Sequence, residues 1–466
     1  MKSTKKSDQK MYLQILGLAL AWGSITSAPV LGQTNNTPPA TNPPPAANAP
    51  AATNAPAATK ATNVLDTVTV EGHLNEVRTT ILTEVGTSQY TIDSVAIQNE
   101  AQGNNASFNQ VLLRAPGVAE DSLGQVHVRG EHGNLQYRIN DVLLPEGITG
   151  FGQELDPRFV QSMQLLTGSL PAEYGFRTAG IVDIQTKSGA ALNGGSVEVY
   201  GGSYDTIRPS FEFGQTKGNT SFFIDGSYDH NDLGIENPTR SSVPIHDYTD
   251  QYKSFVYFSH IMDPTSRILV MGSVSYSQFE IPINTGVTAS PQPGTATPWA
   301  GASEPSVFAL NDNQNEQNYY GVVAYQKSSG DLNYQFSAYA RNSSVHYVPG
   351  NIPAALDFNN GVATDENRIL YSGGSQLDLS YTLGDHHTLR GGLTYLHEAV
   401  TADTTTTVFE VNDAGDATSG PIPVTQNNGP HADYGGIYLQ DEWKIVPQLT
   451  LNAGGRFDVY TSDDDA

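Results

Sequence analysis

Between residues 190 and 466 the chain repeats one pattern: runs in which every second residue is apolar, joined by links that alternate between short and long. Side chains along a strand point to opposite faces with a period of two, so each run reads as a strand with one apolar and one polar face. In RILVMGSVSYS, Ile268, Val270, Gly272, Val274 and Tyr276 share a face opposite Ser273, Ser275 and Ser277. In NYQFSAYAR, Tyr334, Phe336, Ala338 and Ala340 oppose Asn333, Gln335, Ser337 and Arg341. Further on, Leu449, Leu451, Ala453, Phe457 and Val459 oppose Thr450, Asn452, Arg456 and Asp458. About eleven such strands fit, with tight turns expected at TKGN, DPTS, KSSGD, GDHH and VPQ. The links around residues 229–250, 279–314, 342–367 and 399–431 are long. A β-sandwich has no reason to alternate its link lengths, whereas an up-and-down transmembrane barrel does, because its turns are short on one side of the bilayer and long on the other.

Composition agrees with a barrel. Tyr (23) and Gly (45) are abundant, charged residues make up only 15%, and no stretch of the chain beyond its start is apolar and long enough for a membrane helix. Residues 1–32 carry Lys2, Lys5, Lys6 and Lys10, then an apolar run over 11–22, then small residues, the layout of a secretory signal. The run is too short to span a bilayer; a soluble N-terminal core helix is the alternative. The absence of cysteine excludes a disulfide framework, a thiolate zinc site and a cysteine nucleophile. A formal charge of −25 argues against a nucleic-acid partner, since phosphate binding needs clustered Lys and Arg.

Residues 33–62 are a Pro/Ala-rich tail expected to stay disordered. Residues 63–72, NVLDTVTVEG, have strong β-propensity, and 63–86 lead into a compact α/β region over 87–189. There, strands are expected at SQYTI, QVHVRG, LQYRINDVLL, VQSMQLLTG and GIVDIQTKSG, with a helix at ASFNQVLLRA. The ordered motifs resemble the TonB-dependent outer-membrane receptor family over nearly the whole chain from Asp66 onward. NQVLLRAPGV, VHVRG, RINDVLL and PAEYGFRTAGIVDIQTKSG, with Arg114, Pro116, Gly117, Tyr174 and Lys187, are similar to that family's plug. YGGIYLQDEWKIVPQLTLNAGGRFD is similar to its mid-barrel hairpin. The form LLTGSLPAEYG stands near the subgroup whose larger members carry a carboxypeptidase-regulatory-like domain.

The resemblance implies a mainly β fold, a transmembrane antiparallel β-barrel around an N-terminal α/β plug. Of 22 strands expected for a plugged transporter, about 11 are present, so residues 190–466 read as the N-terminal half of the barrel, truncated just past a strand at YTSDDDA. Completing it at the same spacing would take roughly 280 further residues. The implied function is TonB-dependent transport of a scarce solute across the bacterial outer membrane, with iron chelate (siderophore), cobalamin, glycan and peptide all open. The partners are TonB, outer-membrane lipid and that solute. An adhesin or surface receptor without transport is the alternative.

By the same resemblance Asp66, Thr67, Val68, Thr69 and Val70 are the TonB box. An extended segment adds to a partner's sheet edge through backbone hydrogen bonds. Each bond stabilises by roughly 0.5–1.5 kcal/mol and ordering costs about 1–2 kcal/mol per residue, so the contact is weak and releasable. A strand of the plug's own sheet is the alternative for this segment, and residues 71–85 would tether it to the plug. Arg129 is expected to clamp plug to wall through a carboxylate, a surface position being the alternative. Gly130, Gly175 and Gly180 are expected at tight turns or close backbone approaches. The apical plug loops, near 120–124 and 146–154, would meet the solute through Asp121, Ser122, Phe151 and Gln153, the alternative being ordinary loop residues.

No G-x-S-x-G, H-E-x-x-H or P-loop motif occurs, so no enzyme is expected, and no cofactor. His386 and His387 read as a solvated turn rather than a metal site. NDNQNE (311–316) and VNDAGD (411–416) offer oxygen ligands that calcium would accept, but without EF-hand spacing they read as solvated loops, and no metal is assigned.

Overall fold

The computed structural model describes residues 69–76, 78 and 87–463, except 122–123, 133, 149, 152–153, 178, 236, 293–296 and 302–304. The expected signal over 1–32, the tail over 33–62, and Asp66, Thr67 and Val68 lie outside the described residues, as do Ser122 and Gln153.

Residues 87–189 form an α/β unit built on a five-stranded sheet. Its strands, β1 (Thr87–Asp93), β5 (Leu135–Ile139), β6 (Val142–Leu144), β7 (Val160–Gly168) and β8 (Gly180–Thr186), run in the order β1-β7-β8-β5-β6. Only β5 and β8 pair in parallel. A smaller sheet joins β2 (Val118–Glu120), β3 (Val126–Val128) and β4 (Glu131–His132). Two short helices start on side-chain caps: Asp93 accepts from the Ala96 amide before Ser94–Gln98, and Ser107 from the Gln110 amide before Phe108–Leu112. Ile97, Val111, Leu112, Ile139, Phe159, Met163, Val182 and Ile184 fill the core. The β5–β6 hairpin turns on Asn140 and Asp141, both at positive φ (49° and 67°), as a two-residue turn between twisted strands requires.

The wall follows as β9 (Gly194–Gly201), β10 (Ile207–Lys217), β11 (Thr220–Asn231), β12 (Thr249–Asp263), β13 (Ser266–Glu280) and β14 (Asn313–Ser329). It continues as β15 (Leu332–Val348), β16 (Ala363–Leu383), β17 (His387–Val408), β19 (His431–Val446) and β20 (Leu449–Asp463). Each strand pairs antiparallel with the next along a single path of eleven strands, open at β9 and β20. A twelfth strand, β18 (Ile422–Asn428), stands off this path and pairs only with the extended end of β17. The five expected tight turns and four long links all fall where their sequences placed them.

The faces sort as the alternation requires, with one addition. Val256, Phe258, Val270, Phe336, Leu439 and Phe457 are exposed on the outward face. The inward face carries buried Ser275, Gln335, Ser337 and Arg341, but at the level of the plug it also carries Phe255, Leu269, Met271, Val322 and Tyr339, which share one core with plug residues. The lumen is therefore dry where the plug fills it, because apolar side chains facing an apolar partner are more stable than the same side chains in water.

The long links are structured. Ala355 and Leu356 of the helix Ile352–Phe358 pack with Ala363 against Trp299, Leu310 and Phe409, which joins three links at that end. NDNQNE is no solvated loop: Asn313 opens β14, and Asp312 and Glu316 are buried. Asp312 accepts from Tyr347 and the Gly350 amide, Glu316 from the Phe151 amide. VNDAGD is an exposed turn in which Asn412 accepts from the amides of Ala414 and Asp416. His386 and His387 bond to β19, at the Lys444 carbonyl and the Asp441 carboxylate.

Candidate functional site

Side chains from the inward face of the wall hold the plug. Arg341 on β15 bonds the Glu154 carboxylate and the Pro145 carbonyl, and donates to Asn318 at 2.6 Å. Arg456 on β20 donates to the Glu173 carbonyl at 2.9 Å, and Gln440 accepts from the Ala172 amide at 2.9 Å. Gln376 on β16 grips the β5–β6 hairpin twice, accepting from the Leu143 amide and donating to the Asp141 carbonyl. Lys187 and Glu212 form a buried ion pair at 2.7 Å. Phe159 stacks on Phe255 with ring centroids 4.4 Å apart, and Phe151 meets Phe279 edge-on at 5.7 Å. Two glycines make room for the arginines: a Cβ on Gly147 would collide with the Arg341 guanidinium, and one on Gly175 with that of Arg456.

Beneath this seam the plug buries a cluster of charges. Arg138 lies over the Tyr174 ring at 4.7 Å and donates to Gln136 and the Asp141 carbonyl. Burial pushes the Glu173 carboxyl up to about 8 against the pull of Arg138. Burial, with Asp141 nearby, pushes Asp183 up to about 8 as well. A carboxyl raised on folding favours the fold while protonated. Its contribution is complete below the unfolded value near 4 and is lost as the pH rises towards 8. Hydrogen exchange in β5, β7 and β8 should accordingly speed up between about pH 4 and 8 beyond its intrinsic pH dependence. Glu173→Gln should flatten that trend by up to about 1.4 kcal/mol per pH unit. An unchanged slope in the variant would contradict the assignment.

At the end of the wall bearing the long links, two cavities separate plug from wall. One, of about 400 Å³, is lined by Glu146, Glu154, Phe176, Arg177 and Arg341 among others, with Arg177 bonded to Glu146. The second, of about 370 Å³, lies between residues 102–110 and 151 of the plug and strands β11 and β12, and Asp121, Phe151, Gln251 and Lys253 line it. At the opposite end, residues 69–76 are helical. Glu71, Leu74 and Arg78, spaced as one helical face, are buried there. Gln326 donates to the Leu74 carbonyl at 2.6 Å, and Arg78 pairs with Asp141 at 2.6 Å.

Residues 272–466 match the family model described as "TonB dependent receptor-like, beta-barrel". Over those residues the wall is similar to a TonB-dependent receptor barrel. Solved structures share the fold of plug and wall together: P. aeruginosa FpvA bound to a heterologous pyoverdine (14% identity, TM-score 0.61, 82% of this chain), the unliganded ferric citrate transporter FecA (13%, 0.59, 82%) and the copper transporter OprC (10%, 0.60, 82%). The chain spans 52% of FpvA and 57% of each of the other two, about half their length. No curated protein sequence matches it. Among the described residues no helix is long and apolar enough to cross a membrane, which says nothing of the strands.

Several site expectations need correction. Arg129 does not reach the wall: it sits exposed at positive φ (53°) in the β3–β4 turn, its amide bonded to the Gly117 carbonyl. Arg341 and Arg456 make the bonds between wall and plug instead. Thr69 and Val70 are helical rather than extended, because burying Leu74 and bonding its carbonyl to Gln326 outweighs the β-propensity of the TVTV run. The tether is likewise docked over its described residues, at Leu74 and Arg78. Asp121 and Phe151 come together at the second cavity, Asp121 bonded to the Gln125 amide and His127, and Phe151 fixed by Phe279 and Glu316. Arg341 and Arg456 had a sequence signal, a lone charge on the polar face of an alternating strand, but no partner could be read from it.

Proposed function

We propose that this receptor binds a scarce solute at the end of its wall bearing the long links and imports it across the bacterial outer membrane, driven through TonB from the other end. The short turns then face the periplasm, with residues 1–32 as the signal, 33–62 as a periplasmic tail and 66–70 as the box. The outward apolar face of the wall meets lipid. FpvA with its pyoverdine, the ferric citrate transporter and the copper transporter support solute capture as the general reading.

One observation carries the coupling. The segment following the box is fastened to both bodies, by Gln326 of the wall at Leu74 and by Asp141 of the plug at Arg78. A pull on 66–70 is thus delivered to the β5–β6 hairpin that Gln376 anchors to the wall. Deleting residues 66–70 should abolish energy-dependent uptake while surface binding of the solute stays intact. Uptake that survives the deletion would overturn a drive through residues 66–70.

A further inference from the structure

We infer that the cavity between residues 102–110 of the plug and strands β11 and β12 seats a carboxylate flanked by hydroxyl groups, with Lys253 taking the carboxylate and Gln251 one hydroxyl. The inference rests on the reading that a solute enters this lumen.

Gln251 and Lys253 lie two residues apart on the inward face of β12, in phase with buried Phe255 and Tyr257. Their Cα atoms are about 6.8 Å apart at the rise of an antiparallel strand. The other cations of the cavity are committed. Arg208 pairs with Asp229 at 2.7 Å and donates to the Asn105 carbonyl at 2.6 Å, and Arg158 pairs with Glu198 at 3.2 Å. Lys253 makes no hydrogen bond or ion pair among the described residues, although it lines the cavity. Gln251 is 9% exposed, and its Oε1 is buried without a donor. A buried acceptor left unpaired is costly, and a ligand hydroxyl is a donor of the right kind.

The neighbouring acids narrow the anion. Asp156 and Asp229 stand near Lys253, and a phosphate with two charges would be repelled where a single carboxylate is tolerated. Across the cavity, Asn104 and Gln110 present side-chain amides that bond no other described residue. An amide offers a donor and an acceptor together, which suits hydroxyls that are both. One charge with several hydroxyls describes either a uronic acid unit of a polysaccharide or a small free hydroxycarboxylate.

The full-length receptor, purified in detergent, should be titrated calorimetrically with trigalacturonate, which has one carboxylate per sugar unit, with gluconate, and with maltotriose as an uncharged control. Binding of at least one acid is expected, with maltotriose much weaker; the acid that binds names the source. Lys253→Met and Gln251→Leu should each weaken that binding by about tenfold or more. Lys253→Arg should keep most of it. Lys327→Met, which alters a lysine paired with Asp263 outside the cavity, should leave it unchanged. The inference is overturned if neither acid binds, if maltotriose binds as well, or if Lys253→Met binds like the parent. Deletion of 66–70 should leave these titrations intact, so a failure of the transport reading and a failure of this site are told apart.

Discussion

Arg341→Met should loosen the plug from the wall by about 3–5 kcal/mol, the cost typical of removing one partner of a buried ion pair. The side chain is 5% exposed and serves Glu154, the Pro145 carbonyl and Asn318 at once, so its loss strands a carboxylate, a carbonyl and an amide. The methionine fills the volume but supplies no donor. Hydrogen exchange should therefore accelerate at residues 145–151 while the amides of β14 and β15 keep their protection. Adding Glu154→Met should recover much of the loss, because the uncompensated charge is then gone. Gly147→Ala should reproduce part of the effect, since its Cβ would collide with the guanidinium. Unchanged exchange at 145–151 in Arg341→Met would show that the other contacts of the seam hold this loop without the arginine.

The eleven-stranded wall by itself should not insert into a bilayer as a closed barrel. Its sheet ends at β9 and β20, whose outer backbone groups pair with no described strand. In hydrocarbon each unsatisfied backbone group costs several kcal/mol, and barrels that hold a plug close with about 22 strands. Residues 33–466 produced alone should migrate identically on gels whether heated or not, and a protease should reach β9 and β20. A receptor that supplies strands against both edges should show the heat-dependent shift of a closed barrel. A heat-modifiable barrel from residues 33–466 would require β9 to pair with β20 in a way the observed sheet does not.

The wall was legible because everything that defines it is local. Alternation with a period of two needs only neighbouring residues, and the tight turns announce themselves by Gly, Asp, Asn and Pro at their corners. That is why Ile268, Val270 and Val274 fall on the outward face as their sequence says. Most plug strands were legible for the same reason, but LQYRINDVLL, read as one strand, is the β5–β6 hairpin, turned at Asn140 and Asp141. The alternation failed only in its simplest form. It marked the inward face as polar, whereas Leu269 and Met271 face inward and are apolar because another body sits against them.

By itself, then, the sequence determined that residues 190–466 read as about eleven strands of an antiparallel wall preceded by an α/β plug, since hydrophobic period, turn residues and link lengths are properties of short stretches. The tertiary structure alone decided which charges meet. Arg341 and Glu154 stand 187 residues apart, Arg456 and the Ala172 carbonyl 284, and no local pattern links such positions. It also decided that Thr69 and Val70 are helical, that Arg129 is exposed, and that Gln251 and Lys253 share a cavity with Asp121 and Phe151. Those outcomes depend on what each side chain buries against, and that is set only once the plug is seated in the wall.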